Sequence, residues 1–448
     1  MKSKTSRMNE RFVLWLVSLA ALSPALQARD DDWSASLDFE LKAHYRNSDD
    51  NRFPTNFPFS PDMLPPGQSQ GELRTVEPGG HFEVSVLSLI ADLEYRDDVR
   101  ARAKIDFFDR YDRNPTSGDR RVDIDELWLQ WGREAPPATR PSDPGVFVRV
   151  GKFAKFERQD DRHLESYGLV STAFNRFEDL GVAGGIDLGP GFYLKGSVTY
   201  GNPLFFRDPN ALAGDNGTDV FLTMNPEPPL NSGVPILYDA EVEGLDADTG
   251  PELGLAAGYR WADATGRRAL DVMAFGYRRE LEDSVRLEGT FYGADLDFLR
   301  GPGNQFPYPG LAGDDKKEWG LNLRYYQDGL SLFGQYVDQE FASLGRRGLE
   351  LEAAWRIDLP LIWAWDGRQL FAHVQPAVRY SRLDNRFANP AITPFPSGNW
   401  DWEKWDLGVR LQILPGMDLT AEYADNEFET ATGTGNNDEW LVTFRWRI

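Results

Sequence analysis

From Trp33 the chain reads WSASLDFELKAHYR, and apolar and polar residues alternate without a break. Trp33, Ala35, Leu37, Phe39, Leu41, Ala43 and Tyr45 share one phase; Ser34, Ser36, Asp38, Glu40, Lys42, His44 and Arg46 share the other. A β-strand sends successive side chains to opposite faces, so this segment has one apolar and one charged face. The period recurs along the chain. Val99, Ala101, Ala103 and Ile105 alternate with Arg100, Arg102, Lys104 and Asp106. Trp405, Leu407, Val409 and Leu411 alternate with Asp406, Gly408, Arg410 and Gln412, and the chain ends on Trp440, Val442, Phe444, Trp446 and Ile448 in one phase. Charges at this density cannot line a dry core, so the polar phase has to meet water inside a lumen. Trp and Tyr at the strand ends match the interfacial girdles of a membrane barrel.

Connection lengths sharpen the expectation. Tight turns (Arg96-Asp97-Asp98, Gly189-Pro190-Gly191, Gln327-Asp328-Gly329, Leu414-Pro415-Gly416-Met417) alternate with long polar links near 47–81, 110–121, 156–178, 202–251, 280–316, 382–403 and 427–437. Short periplasmic turns and long outer loops are the outer-membrane arrangement. The pattern predicts strands near 33–46, 82–95, 99–109, 122–132, 146–155, 179–188, 192–201, 252–261, 269–279, 317–327, 330–339, 348–358, 370–381, 404–413, 418–425 and 438–448. The fold class is therefore all-β, a transmembrane antiparallel up-and-down barrel of sixteen strands. Eighteen is the competing count, because 285–298 also carries strand-like residues. Residues 269–279 do not show which face is apolar. Sixteen strands leave an aqueous channel rather than a packed interior.

The amino terminus is read as a secretory signal peptide over 1–28. Lys2, Lys4, Arg7 and Arg11 precede the apolar run 12–22, and cleavage is placed after Ala28. The run is about half the roughly 20 residues a spanning helix needs. The barrel domain is 29–448, in the outer membrane of a Gram-negative bacterium. The sequence has no cysteine, 71 acidic and 48 basic residues, and a net charge of −23. Removing the signal leaves 44 basic and 70 acidic residues, a net charge of −26. Nucleic acid is thereby excluded as a ligand class, since phosphate binding needs a basic surface. A chain without cysteine suits an oxidising envelope compartment.

An enzyme is not expected. The four histidines are His44, His81, His163 and His373, and no G-x-S-x-G, H-E-x-x-H or P-loop motif occurs. His44 and His373 fall in the polar phase. No cofactor is called for, and no metal site either. Asp239, Glu241, Glu243, Asp246 and Asp248 offer oxygen ligands for Ca²⁺, against the simpler reading of a solvated acidic loop (202–251) beside lipopolysaccharide.

The lumen charges are the candidate functional residues. The polar phase supplies Arg100, Arg102, Lys104, Arg149, Lys195, Arg324, Arg356, Arg379, Arg410 and Arg445, with Asp38 and Glu40 among the acids. A ring of Arg and Lys favours anions; mixed, cross-paired charges would merely keep the lumen wet. Both readings stand at this point. The loop 156–178 has an apolar centre from Tyr167 to Phe174, flanked by Arg158, Arg162, Glu165 and Arg176. An apolar centre is expected to pack on the inner wall and narrow the pore; the alternative is a loop folded over the mouth.

Residues 148–184 carry a family resemblance. Gly151-Lys152-Phe153, a charged loop, and Asp179-Leu180-Gly181-Val182 resemble the phosphate-selective porin O/P family. The resemblance implies a sixteen-stranded trimeric channel whose third loop folds inside. Two departures put phosphate selectivity in doubt: a lysine-rich mouth is not evident, and Glu178 stands where that family has arginine. More faintly, DELWLQWG at 125–132 followed by VRVGK resembles alginate-export barrels, whose pore is lined with arginine. The expected function is passive passage of small hydrophilic solutes or ions, with anions preferred. The alternatives are an export conduit for an acidic exopolysaccharide and a non-conducting structural or adhesin barrel. The expected partners are outer-membrane lipid and lipopolysaccharide, the barrel-assembly machinery, a small hydrophilic or anionic solute and, in a homotrimer, two further copies.

Overall fold

The computed structural model describes residues 29–448 apart from 31, 50–51, 56–70, 75–78, 97, 109–121, 136–144, 161, 175–177, 201–203, 208–238, 244–249, 281–285, 290–314, 342–343, 387–400 and 431–432. The signal-peptide segment 1–28 lies outside the described residues. Sixteen strands form the barrel. The first eight are β1 (Trp33–Ser48), β2 (Gly79–Tyr95), β3 (Val99–Phe108), β4 (Val122–Gly132), β5 (Val146–Ala154), β6 (Glu178–Asp187), β7 (Phe192–Thr199) and β8 (Glu252–Ala262). The second eight are β9 (Arg268–Glu280), β10 (Asp315–Gln327), β11 (Leu330–Phe341), β12 (Leu344–Trp355), β13 (His373–Arg386), β14 (Asp401–Leu414), β15 (Met417–Thr430) and β16 (Gly433–Arg447).

Each strand pairs antiparallel with its neighbour in sequence, and β1 closes the ring on β16 from Glu40↔Arg447 to Ser48↔Glu439. Two short pieces join the same sheet without adding staves: Arg29–Asp30 folds back on β1, and Ile357–Asp358 prolongs β12 against β13. Eighteen staves are thus ruled out. The strand-like stretch near 285–298 contributes Arg286–Gly289, which pairs with Asp239–Glu243 in a separate three-stranded sheet. No described helix is long and apolar enough to cross a membrane; a barrel crosses with strands.

Strand phase follows the alternation. On β10, Trp319, Leu321 and Leu323 are exposed outward, while Glu318, Asn322 and Arg324 are buried inward. Aromatic pairs mark both rims. Trp33–Tyr95 and Phe192–Tyr259 lie at the turn end, at 4.5 and 5.0 Å. Tyr45–Phe82, Tyr380–Trp405 and Tyr423–Trp440 lie at the loop end, at 4.8–5.0 Å. At about 3.3 Å per residue and a tilt of about 45°, Trp33 and Tyr45 stand roughly 28 Å apart along the barrel axis, the thickness of a bilayer's apolar band.

Two boundaries differ from the sequence expectation. The link expected at 427–437 is largely ladder, since the β15–β16 hairpin pairs out to Thr430↔Gly433, and the one expected at 382–403 is shortened at both ends, β13 running on to Arg386 and β14 starting at Asp401. Alternation stops where lipid stops, but backbone pairing continues above it. The other difference is β9, whose inner face carries Met273, Phe275 and Tyr277 and whose outer face carries Leu270, Val272 and Ala274. It is apolar on both sides because its inner face meets protein rather than water, as the next section describes.

Candidate functional site

The segment between β5 and β6 turns into the barrel. Residues 155–160 and 162–174 lie against inward side chains of β9 to β16 and of β1. The segment includes one short helix, α1 (Leu169–Ala173). Three kinds of contact hold it. The first is apolar: Leu169, Val170, Ala173 and Phe174 are buried in a cluster with Met273, Phe275, Tyr277, Val337, Leu383 and Trp402. Gly348 makes room for this cluster, since a Cβ there would stand 2.5 Å from Phe174 and 2.9 Å from Val170. Leu164 is buried with Ala354 and Ala377 in the same way.

The second kind caps backbone groups of the segment with wall side chains. Asn322 and Gln335 donate to the Glu157 carbonyl at 2.6 and 3.1 Å, and Arg324 donates to the Arg158 carbonyl at 2.5 Å. Lys404 donates to the Tyr167 carbonyl at 2.7 Å, and Arg346 to that of Ala173 at 3.0 Å. Glu422 accepts the amides of Glu165 and Ser166, the latter at 3.1 Å. Irregular backbone away from water has to be satisfied like this, or the burial would be costly.

The third kind is charge. Glu165 is buried between Lys42 (2.9 Å), Arg410 (2.8 Å) and Arg445 (3.7 Å). Burial works against its ionisation, but the three cations outweigh it and hold the carboxyl well below the usual range. Arg379 lies 2.9 Å from Asp406 and donates to both the carbonyl and the hydroxyl of Ser166. His163 Nδ1 sits 2.8 Å from Glu352, which also accepts from Gln159.

The contacts above do not reach the opposite wall. There the partly buried charges of β1 to β5 and β7 come in pairs: Arg100–Glu94 at 2.8 Å, Arg102–Asp92 at 3.3 Å and Lys104–Asp125 at 2.6 Å. Arg102 also meets Glu126 at 3.1 Å, and Asp38 meets Arg447 at 3.4 Å. Arg149 and Lys195 share Glu134, at 2.8 and 2.6 Å. Burial again opposes ionisation, and again the cations win, bringing the Glu134 carboxyl down to about 2. Arg149 also lies 4.5 Å over the Trp128 ring.

A bulge explains the acid-rich part of this wall. The β3–β4 register steps from Lys104↔Glu126 to Ile105↔Ile124, leaving Asp125 as the extra residue. The β4 phase slips by one there, so Asp125 and Glu126 are both drawn toward the lumen cations. The carboxylates of Asp125, Glu126 and Glu178 come within 4.8 Å of one another. Lys104, Arg102 and Arg158 each already pair with one of them.

The sequence candidates therefore separate into groups. Arg100, Arg102, Lys104, Arg149, Lys195, Asp38 and Glu40 border the open side. Arg324, Arg379, Arg410 and Arg445 do project inward, yet they do not form a free basic ring. Arg379 and Arg410 are buried with carboxylates beneath the crossing segment, Arg324 is spent on a loop carbonyl, and Arg445 is 2.6 Å from Asp418. Arg356 lies away from both groups, at the exposed turn end, 2.9 Å from Asp358. Arg158 pairs with Glu178, and Arg162 lies 4.1 Å over the Tyr167 ring. Arg176, Asp246 and Asp248 are outside the described residues, and Asp239, Glu241 and Glu243 lie on a strand of the separate three-stranded sheet. Sequence reasoning missed Lys404, Asp125, Glu126 and Glu134. Lys404 was legible from the β14 phase. Nothing in the alternation announced the bulge, and Glu134 lies beyond a strand end.

No family model matches the sequence, and no curated protein does. Solved structures do. The outer membrane channel DcaP of Acinetobacter baumannii aligns at 11% identity and TM-score 0.52, over 94% of this chain and 99% of that one. Pseudomonas putida OprB aligns at 11% and 0.53, over 97% of both chains. Salmonella typhi OmpF aligns at 9% and 0.50, over 94% of this chain and all of that one. The fold is that of an outer-membrane porin barrel. Identity this low speaks for the fold alone, so selectivity has to be read from this chain's own side chains.

Proposed function

We propose that the protein is a passive outer-membrane channel for small hydrophilic solutes and ions. The passage runs between the crossing segment and the wall of β1 to β5. The pairing of lumen charges carries this reading. Nearly every described cation bordering the open side has a carboxylate within 4 Å, so the aperture presents locally balanced charge rather than one sign of charge. Ion selectivity is accordingly weak, and any anion preference comes from Arg100, Arg102, Lys104 and Arg162. A segment lying across the lumen weighs against export of a bulky polysaccharide, which needs a clear bore.

The test is single-channel conductance in a planar bilayer, with reversal potential under a salt gradient. The expected result is finite conductance and a small reversal potential, displaced toward cation preference in Arg102→Glu/Lys104→Glu. A large anion-selective potential that phosphate blocks would replace this reading with a phosphate channel. Absence of conductance would replace it with a structural barrel.

A further inference from the structure

Most described links at the turn end of the barrel are tight turns. The link from β12 to β13 is different. After Ile357–Asp358 the chain reads LPLIWAWDGRQLF, and it forms a second hairpin in which Trp363–Trp365 pairs with Arg368–Leu370. Asp366 (φ 49°) and Gly367 (φ 74°) make the two-residue turn that Asp-Gly favours. Pro360 on the way out and Phe371 (φ 56°) on the way back separate this hairpin from the barrel ladder.

The hairpin is apolar on the outside. Leu361 and Ile362 are each 68% exposed, Trp363 60% and Trp365 64%. Turn residues in water are ordinarily polar, and contiguous exposed apolar side chains mark a contact surface. Two observations say which surface. First, the patch continues the outward belt: Trp355 and Ile357 are the last outward residues of that strand line, and both are exposed. Second, the hairpin stays at the rim. The Phe371 amide donates to the Ile413 carbonyl at 3.1 Å, and Arg368–Leu370 lies against the turn end of β14. Paired indoles beside aliphatic residues, at the edge of an apolar belt, suit the boundary between headgroups and acyl chains.

We propose that residues 359–371 form a lipid-binding hairpin that seats Trp363 and Trp365 in the headgroup boundary of the phospholipid leaflet at the turn end. Leu361 and Ile362 reach the acyl chains beneath. This rests on the membrane location proposed above, and the test separates the two. The chain has no cysteine, so a single introduced thiol carries a nitroxide without background labelling.

Trp363→Cys and Leu361→Cys would be labelled in phospholipid nanodiscs, with Val409→Cys on the outward belt and Ala264→Cys in an exposed turn as references. Power saturation compares collisions with lipid-soluble oxygen and a water-soluble nickel chelate. Labels at 361 and 363 that follow the Val409 label support the hairpin. Labels that follow Ala264, or are shielded from both reagents, overturn it in favour of water or a protein partner. A Val409 label open to the nickel chelate would instead overturn the membrane placement itself. Measuring at two positions covers the case in which one variant does not fold.

Discussion

Glu165→Gln is the most informative perturbation of the crossing segment. The carboxylate is buried and contacts Lys42, Arg410 and Arg445. Removing one partner of a buried ion pair typically costs about 3–5 kcal/mol, because the other charge is left behind. Here Lys42 and Arg445 keep 18% and 26% of their side-chain surface in water. Solvent takes over part of the lost interaction, and about 2–3 kcal/mol is the fitting magnitude. At about 1.4 kcal/mol per factor of ten, local opening of the segment rises by a factor between about thirty and about 140. Hydrogen exchange at the Glu165 and Ser166 amides reads that change directly, and open-channel current noise reads its consequence. Glu165→Gln/Lys42→Met removes one orphaned cation and recovers part of the protection. Unchanged exchange and unchanged noise in the single variant would refute the clamp.

Three further outcomes follow from the same geometry. Gly348→Val drives a side chain into Phe174 and Val170, so it should displace the crossing segment and raise conductance while the barrel still folds; unchanged conductance would contradict the packing. Gly151 has φ 131° and leaves a Cβ only 2.8 Å from the Trp128 Cα, so Gly151→Ala should lower the temperature at which the folded band is lost on a gel. The Glu134 carboxyl is held down to about 2 by Lys195 and Arg149 against its burial. A depressed carboxylate contributes stability that is complete above its unfolded value of 4.5 and is lost as pH falls toward 2. Glu134→Gln should therefore lower stability at neutral pH and flatten the acid loss between those limits, as measured by urea unfolding at several pH values.

The alternation pointed to sixteen strands, with the order of short and long links and the face of most strand side chains; that eighteen was not the count only the closed ring decided. Lipid outside and water inside impose a period of two that no soluble core requires at every strand. Where only one of those solvents is present, the same rule failed or fell silent. Above the bilayer, β13, β15 and β16 run on through polar residues, because backbone pairing does not depend on lipid. On β9 both faces are apolar, and the sequence could not say which is inner; the answer is Phe174 and its neighbours, brought there from a loop a hundred residues away. The bulge at Asp125 flips phase for a backbone reason that side-chain pattern does not record.

The charges show the same division. Arg379 and Arg410 could be assigned inward from their phase alone. That they are paired with Asp406 and Glu165, and are not an open anion ring, depended on the β13–β14 register and on where the crossing segment set Glu165. Phase is a property of one strand, whereas pairing depends on the ring and on what crosses it.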